Sequence, residues 1–191
     1  MAFIVLWILS FILPKKESKK SQNLKSKSEF VITMTWPDES RSDVDMWVED
    51  GMGHLVSFKR REQGLVHLER DDLGWTNDTI QTPQGEVTLK DNTELVHIRG
   101  IVVGEVVVWT HMYSRRETDA NDIVVKIKIE KMNPYSIVMI NEVKLGSTGD
   151  AKTLGRFTIK DDGTVTDVNF LEKEFPMTVG GWSERSDSIF P

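Results

Sequence analysis

The chain contains no cysteine among its 191 residues. That excludes disulfide staples and thiolate metal sites, and it removes the thiol nucleophile. Proline is sparse, at six residues, and no stretch keeps a helical hydrophobic period. A glycine-rich phosphate loop after a strand is missing, as is a Gly-x-Ser-x-Gly nucleophile elbow. The formal net charge of −6 argues against a nucleic-acid partner, which calls for a basic surface. These absences predict a chain that is not an enzyme and does not bind nucleic acid.

What is present is strand-like alternation from Glu29 to about Asn169. Phe30, Ile32, Met34 and Trp36 share one face, with Val31, Thr33 and Thr35 on the other. Ile123, Val125, Ile127 and Ile129 alternate with Val124, Lys126, Lys128 and Glu130, the pattern of a half-buried strand. Turn signals separate such runs, among them Asp50-Gly51-Met52-Gly53, Asn133-Pro134 and Asp161-Asp162-Gly163. The spacing predicts an all-β chain: an antiparallel β-sandwich of about nine strands, jelly-roll or immunoglobulin-like.

Four segments follow from composition. Residues 1–14 are an apolar anchor or arm, and residues 15–28 a lysine- and serine-rich linker. Residues 29–170 are the sandwich, and 171–191 a flexible tail. The apolar run Ala2 to Leu13 would be about 18 Å long as a helix, against a hydrocarbon core of roughly 30 Å. An apolar plug followed by lysines is a membrane-anchor pattern. The alternative is an arm that packs in a partner's groove.

Chemistry concentrates in two acidic stretches. Asp43 and Asp45 sit two apart on a strand, so their side chains share a face about 7 Å apart. Asp71, Asp72, Asn77 and Asp78 follow in a loop. Carboxylates brought together in this way repel unless a cation lies between them, and calcium takes six to eight such oxygens. The expected metal ligands are therefore Asp43, Asp45, Asp71, Asp72 and Asp78, with calcium as the ion. The spacing is not that of an EF-hand, because Trp47 stands where an oxygen is needed and the flanks are strands. Solvated turn carboxylates are the competing explanation. His54, His67, His97 and His111 include no close-spaced pair and read as strand-surface residues.

Val44, Met46 and Val48 form the inward face of their strand, which turns the acids and Trp47 outward. Trp47, Trp75, Arg60 and Arg61 are the candidate partner-binding residues for a protein or glycan. For Trp47 and Trp109 the competing reading is a second apolar layer on the far face of the sheet, which is the stronger of the two.

The order Thr35-Trp36, Asp43-Val44-Asp45-Met46-Trp47, Gly53, then Arg70-Asp71-Asp72-Leu73-Gly74, Asn77-Asp78 and Gly104-Glu105-Val106-Val107-Val108 resembles uncharacterised β-sandwich domains of bacteria and their phages. Those domains carry a Trp, Asp-x-Asp and glycine-turn opening and a Gly-x-Tyr-x-Val strand, where this chain has Val106. The resemblance implies the same fold, Asp43, Asp45, Asp71, Asp72 and Asp78 as ligands, and a phage-encoded origin. Together the features predict a membrane-tethered, non-catalytic binding protein with a calcium site, membrane-associated or in a virion. The alternatives are a virion component whose arm docks into a neighbouring subunit in a homo-oligomer or assembly, and a carbohydrate-active accessory module.

Overall fold

The computed structural model describes residues 28–74, 79–88, 90–119 and 121–177. The apolar run 2–13, most of the linker, Trp75, Asn77, Asp78 and the last residues lie outside them. The described chain has thirteen strands and no α-helix. They are β1 (Phe30–Thr35), β2 (Asp43–Glu49), β3 (Leu55–Val56), β4 (Glu62–Gln63), β5 (Val66–Arg70), β6 (Thr79–Thr82) and β7 (Gly85–Thr88), followed by β8 (Thr93–Ile98), β9 (Gly104–Ser114), β10 (Ile123–Met132), β11 (Tyr135–Leu145), β12 (Ala151–Ile159) and β13 (Val165–Asn169). The count exceeds the expected nine because several strands are short: β3 and β4 have two residues each, and β6 and β7 form a separate hairpin.

Two antiparallel sheets face each other. One has the order β11-β10-β1-β8-β5-β4 and the other β13-β12-β9-β2-β3. Alternation in sequence becomes alternation in burial. Phe30, Ile32 and Met34 are fully buried, and on β10 Ile123, Val125, Ile127 and Ile129 point inward. They meet Val44, Met46, Val48, Val106, Val108, Phe157 and Ile159 from the opposite sheet. The Phe30 and Phe157 rings lie 5.9 Å apart across that interface. Burial of each such side chain contributes about 1.5–3 kcal/mol.

A second apolar layer covers the outer face of the β9–β2 region. Trp47, Val107, Trp109 and Phe175 form it, with Leu55, Phe58, Ala151 and Met177 packed alongside. Phe175 meets Trp47 edge-on at 5.3 Å, and Trp109 Nε1 donates to the Lys173 carbonyl at 2.9 Å. Residues 172–177, expected as part of a loose tail, are thus packed onto the sheet. Trp47 is fully buried, so it is not an exposed partner anchor. The second-layer reading of Trp47 and Trp109 is the one that holds.

The sandwich has two distinct ends. The chain enters at one, where Glu29 N donates to the Ile98 carbonyl and its own carbonyl accepts from Met132 N, both at 2.8 Å. The turns at 50–54, 64–65, 99–103 and 161–163 share this end. At the other end, Trp36 N reaches the Asn92 carbonyl, beside the start of β2 and the loop after β5. The acidic residues gather there.

Candidate metal centre

The site forms because one strand edge is left open. β3 pairs with β2 only at Val48 and Glu49. Along Asp43–Met46, β2 is paired with β9 alone. Met46 N on the open edge instead donates to Glu94 Oε2 at 2.5 Å. Glu94 belongs to β8 of the opposite sheet and shares the inward phase of Val96 and Ile98. It is completely buried, and apart from the facing acid Asp71 its Oε1 has no hydrogen-bond partner among the described residues.

Two further carboxylates close on Glu94. Asp45, on β2, is 2% exposed. His111 stands opposite it in register on β9, with Nδ1 at 3.4 Å from Asp45 Oδ2. Asp71 follows β5 directly; its Oδ2 lies 3.7 Å from Arg61 Nη1, and its Oδ1 is buried with no donor among the described residues. One carboxylate oxygen from each of Asp45, Asp71 and Glu94 lies within 4.8 Å of the other two. The two sheets and one loop each supply one acid.

The electrostatics of this triad are unfavourable without a counter-charge. Two full charges no more than 4.8 Å apart repel by about 3.5 kcal/mol or more at an effective dielectric constant near 20. Burial, then Asp45 and Asp71, push the Glu94 carboxyl well above the usual range. Burial also raises Asp45, partly offset by its hydrogen bond to His111. Asp43 is buried beside the triad and rises to about 6, first from burial and then from Asp45, against the pull of Arg116. Arg116 Nη2 is 3.5 Å from Asp43 Oδ2, while Asp43 Oδ1 has no hydrogen-bond partner among the described residues. Such a group either keeps protons or takes a cation.

The donor set suits a hard cation. The donors are all oxygens, which excludes the soft-ligand chemistry of zinc thiolate sites.

Of the five expected ligands, the fold brings Asp45 and Asp71 together and sets Asp43 beside them. Asp72 has another task. Its Oδ1 accepts from Gly74 N at 3.0 Å, and its Oδ2 from Arg70 Nη2 at 2.9 Å and Thr93 N at 3.4 Å. It pins the loop that carries Asp71 against β8. Gly74, at φ 63°, lies so close to β2 that a Cβ there would be 2.7 Å from the Arg41 carbonyl. Asp78 and Trp75 lie outside the described residues. Arg61 faces Asp71, whereas Arg60 forms a backbone bridge with Ser57. Glu94 is the member of the triad that sequence reasoning missed. The available signal was a carboxylate in phase with the buried Val96 and Ile98.

The loop before β2 is held by a carboxylate clamp. Glu117 accepts from the Ser40 and Ser42 hydroxyls and from Arg41 N and Ser42 N. Although burial opposes it, these donors hold Glu117 down to about 2.

No protein-family model matches this chain, and no curated protein does. Two solved structures are similar to it. One is the crystal structure of a protein described as of unknown function, 18% identical, covering 78% of this chain and 91% of its own, with a TM-score of 0.47. The other is described as a homologue of the telluride resistance protein TerD from Streptomyces coelicolor, 14% identical, covering 78% of this chain and 90% of its own, with a TM-score of 0.44. Neither is described as a phage, membrane-tethered or carbohydrate-binding protein. The expectation of a phage-encoded tethered binder is therefore corrected, together with its virion and carbohydrate-module alternatives.

Proposed function

We propose that this chain is a non-catalytic, calcium-binding β-sandwich module in which the ion joins the two sheets at the acidic end. The supporting observation is the convergence of Asp45, Asp71 and Glu94 within 4.8 Å; apart from the contact of Glu94 and Asp71 with each other, Glu94 Oε1 and Asp71 Oδ1 are buried with no donor among the described residues. Each carboxylate can give one or two oxygens, the free Oδ1 of Asp43 stands nearby, and water completes a shell of six to eight. A cation here would offset the repulsion that otherwise forces protonation. It would also tie β2, β8 and the loop after β5 into one unit, so binding and folding stability are coupled. The lack of a thiol nucleophile and of a phosphate loop supports the non-catalytic reading.

Titration calorimetry of the full chain tests this. Calcium chloride should fill one saturable site and magnesium chloride should bind more weakly. Absence of heat with millimolar calcium, together with an unchanged melting temperature, would remove the proposal.

A further inference from the structure

The entry end of the sandwich carries an apolar surface unrelated to the cation site. Met52 is 70% exposed and Val103 52%, and Leu65 and Ile101 are exposed beside them. Three separate turns place these side chains, and glycines let the turns touch. A Cβ on Gly51 would lie 2.3 Å from the Val103 carbonyl oxygen; one on Gly100 would meet Leu65 Cδ1 at 2.8 Å, and one on Gly163 would meet Ile101 Cδ1 at 2.9 Å. Arg99 N also donates to the Leu65 carbonyl at 2.8 Å. The four residues therefore belong to one connected end surface.

A connected apolar surface on a sandwich's loop end calls for a covering partner. The chain supplies one. Its described part begins at Ser28 at this same end, with Glu29 bonded to Ile98 and Met132. Upstream lie the polar residues 14–27 and then the uncharged apolar run Ala2 to Leu13. Residues 14–27 are fourteen in number and span at most about 50 Å, long enough to return the run to the end from which it departs. A tethered segment binds at an effective concentration that a separate partner must exceed.

We infer that residues 2–13 dock in cis on the apolar entry end formed by Met52, Leu65, Ile101 and Val103. This docking is independent of the cation site at the opposite end.

The test uses the full chain, without detergent, carrying the photo-crosslinker p-benzoylphenylalanine in place of Trp7. Irradiation at low micromolar concentration should give a monomeric product. Its crosslinked peptides should contain residues 51–53, 65 or 99–104. Crosslinks between two chains, crosslinks to another face, or loss of the intrachain product on adding phosphatidylcholine vesicles would each overturn the inference. The double substitution Ile101→Glu and Val103→Glu sets charges into the contact and should lower the intrachain yield about tenfold or more. Its melting temperature in chelator should stay near that of the parent, because both side chains are exposed. An unchanged yield in that folded variant would overturn the inference as well.

Discussion

Replacing Glu94 with Gln removes one negative charge at nearly constant shape. A glutamine oxygen can still accept from Met46 N, the contact that Glu94 Oε2 makes at 2.5 Å. Two effects of opposite sign follow. In chelator, the variant loses a buried carboxyl that faces Asp45 and Asp71. Removing the cost of keeping that carboxyl protonated should stabilise the cation-free fold by about 1–3 kcal/mol. In calcium, the variant lacks one of three anionic ligands, and its affinity should fall about a hundredfold, or ~2.7 kcal/mol. At calcium a hundred times its dissociation constant, the parent gains about 2.7 kcal/mol by mass action. For a domain of this size that corresponds to a rise of about 5–11 °C in melting temperature. Differential scanning calorimetry at pH 7, with chelator and with calcium, reads both effects. The variant should melt above the parent in chelator and show a rise of less than about 2 °C with calcium. A variant that melts lower in chelator and keeps the full calcium response would refute the assignment of Glu94 as a ligand.

Other outcomes follow from the same structure. Asp43 keeps its proton to about pH 6 in the fold, and its unfolded value is 3.8. Its contribution to stability is full below about pH 4 and falls by roughly 3 kcal/mol as pH rises through 6, a loss that denaturant melts in chelator should show and calcium should suppress. Glu117 acts in the opposite sense: held down to about 2, it stabilises above its ordinary value and loses that contribution as pH falls. Glu117→Ala should cost about 1.5–3 kcal/mol at pH 7 in urea unfolding, by freeing the Ser40–Ser42 loop. Gly51→Ala should destabilise by about 1–3 kcal/mol or more in the same assay, since its Cβ would press on backbone rather than on a movable side chain. Ending the chain at residue 170 should uncover Trp47 and Trp109 and shift tryptophan emission to longer wavelength, while an unshifted spectrum would mean that Phe175 does not seal the outer layer.

The two-sheet architecture was legible because burial follows a period of two. Phe30, Ile32 and Met34 on β1 and the isoleucines of β10 show it directly in the chain. The convergence of Asp45 with Asp71 was legible too, since acids at a strand start and in a loop after another strand were expected at one end. Three features were not. Glu94 lies among alternating strand residues, and only its inward phase marks it. The open β2 edge that admits it depends on β3 pairing for two residues, a tertiary outcome without a local signal. An apolar layer over Trp47 was expected, but its cover comes from Phe175, more than a hundred residues away in a segment expected as a loose tail. Asp72 shows a different limit. A carboxylate that caps the backbone at Gly74 and Thr93 has the same letter as one that binds an ion.

A crystal structure of the full chain grown with calcium chloride tests the central claim most directly. The account predicts an ion at the acidic end of the sandwich, bonded at about 2.3–2.6 Å to oxygens of Asp45, Asp71 and Glu94. Calcium bound elsewhere, with Glu94 still turned only toward Met46 N and no ion between the three carboxylates, would contradict it.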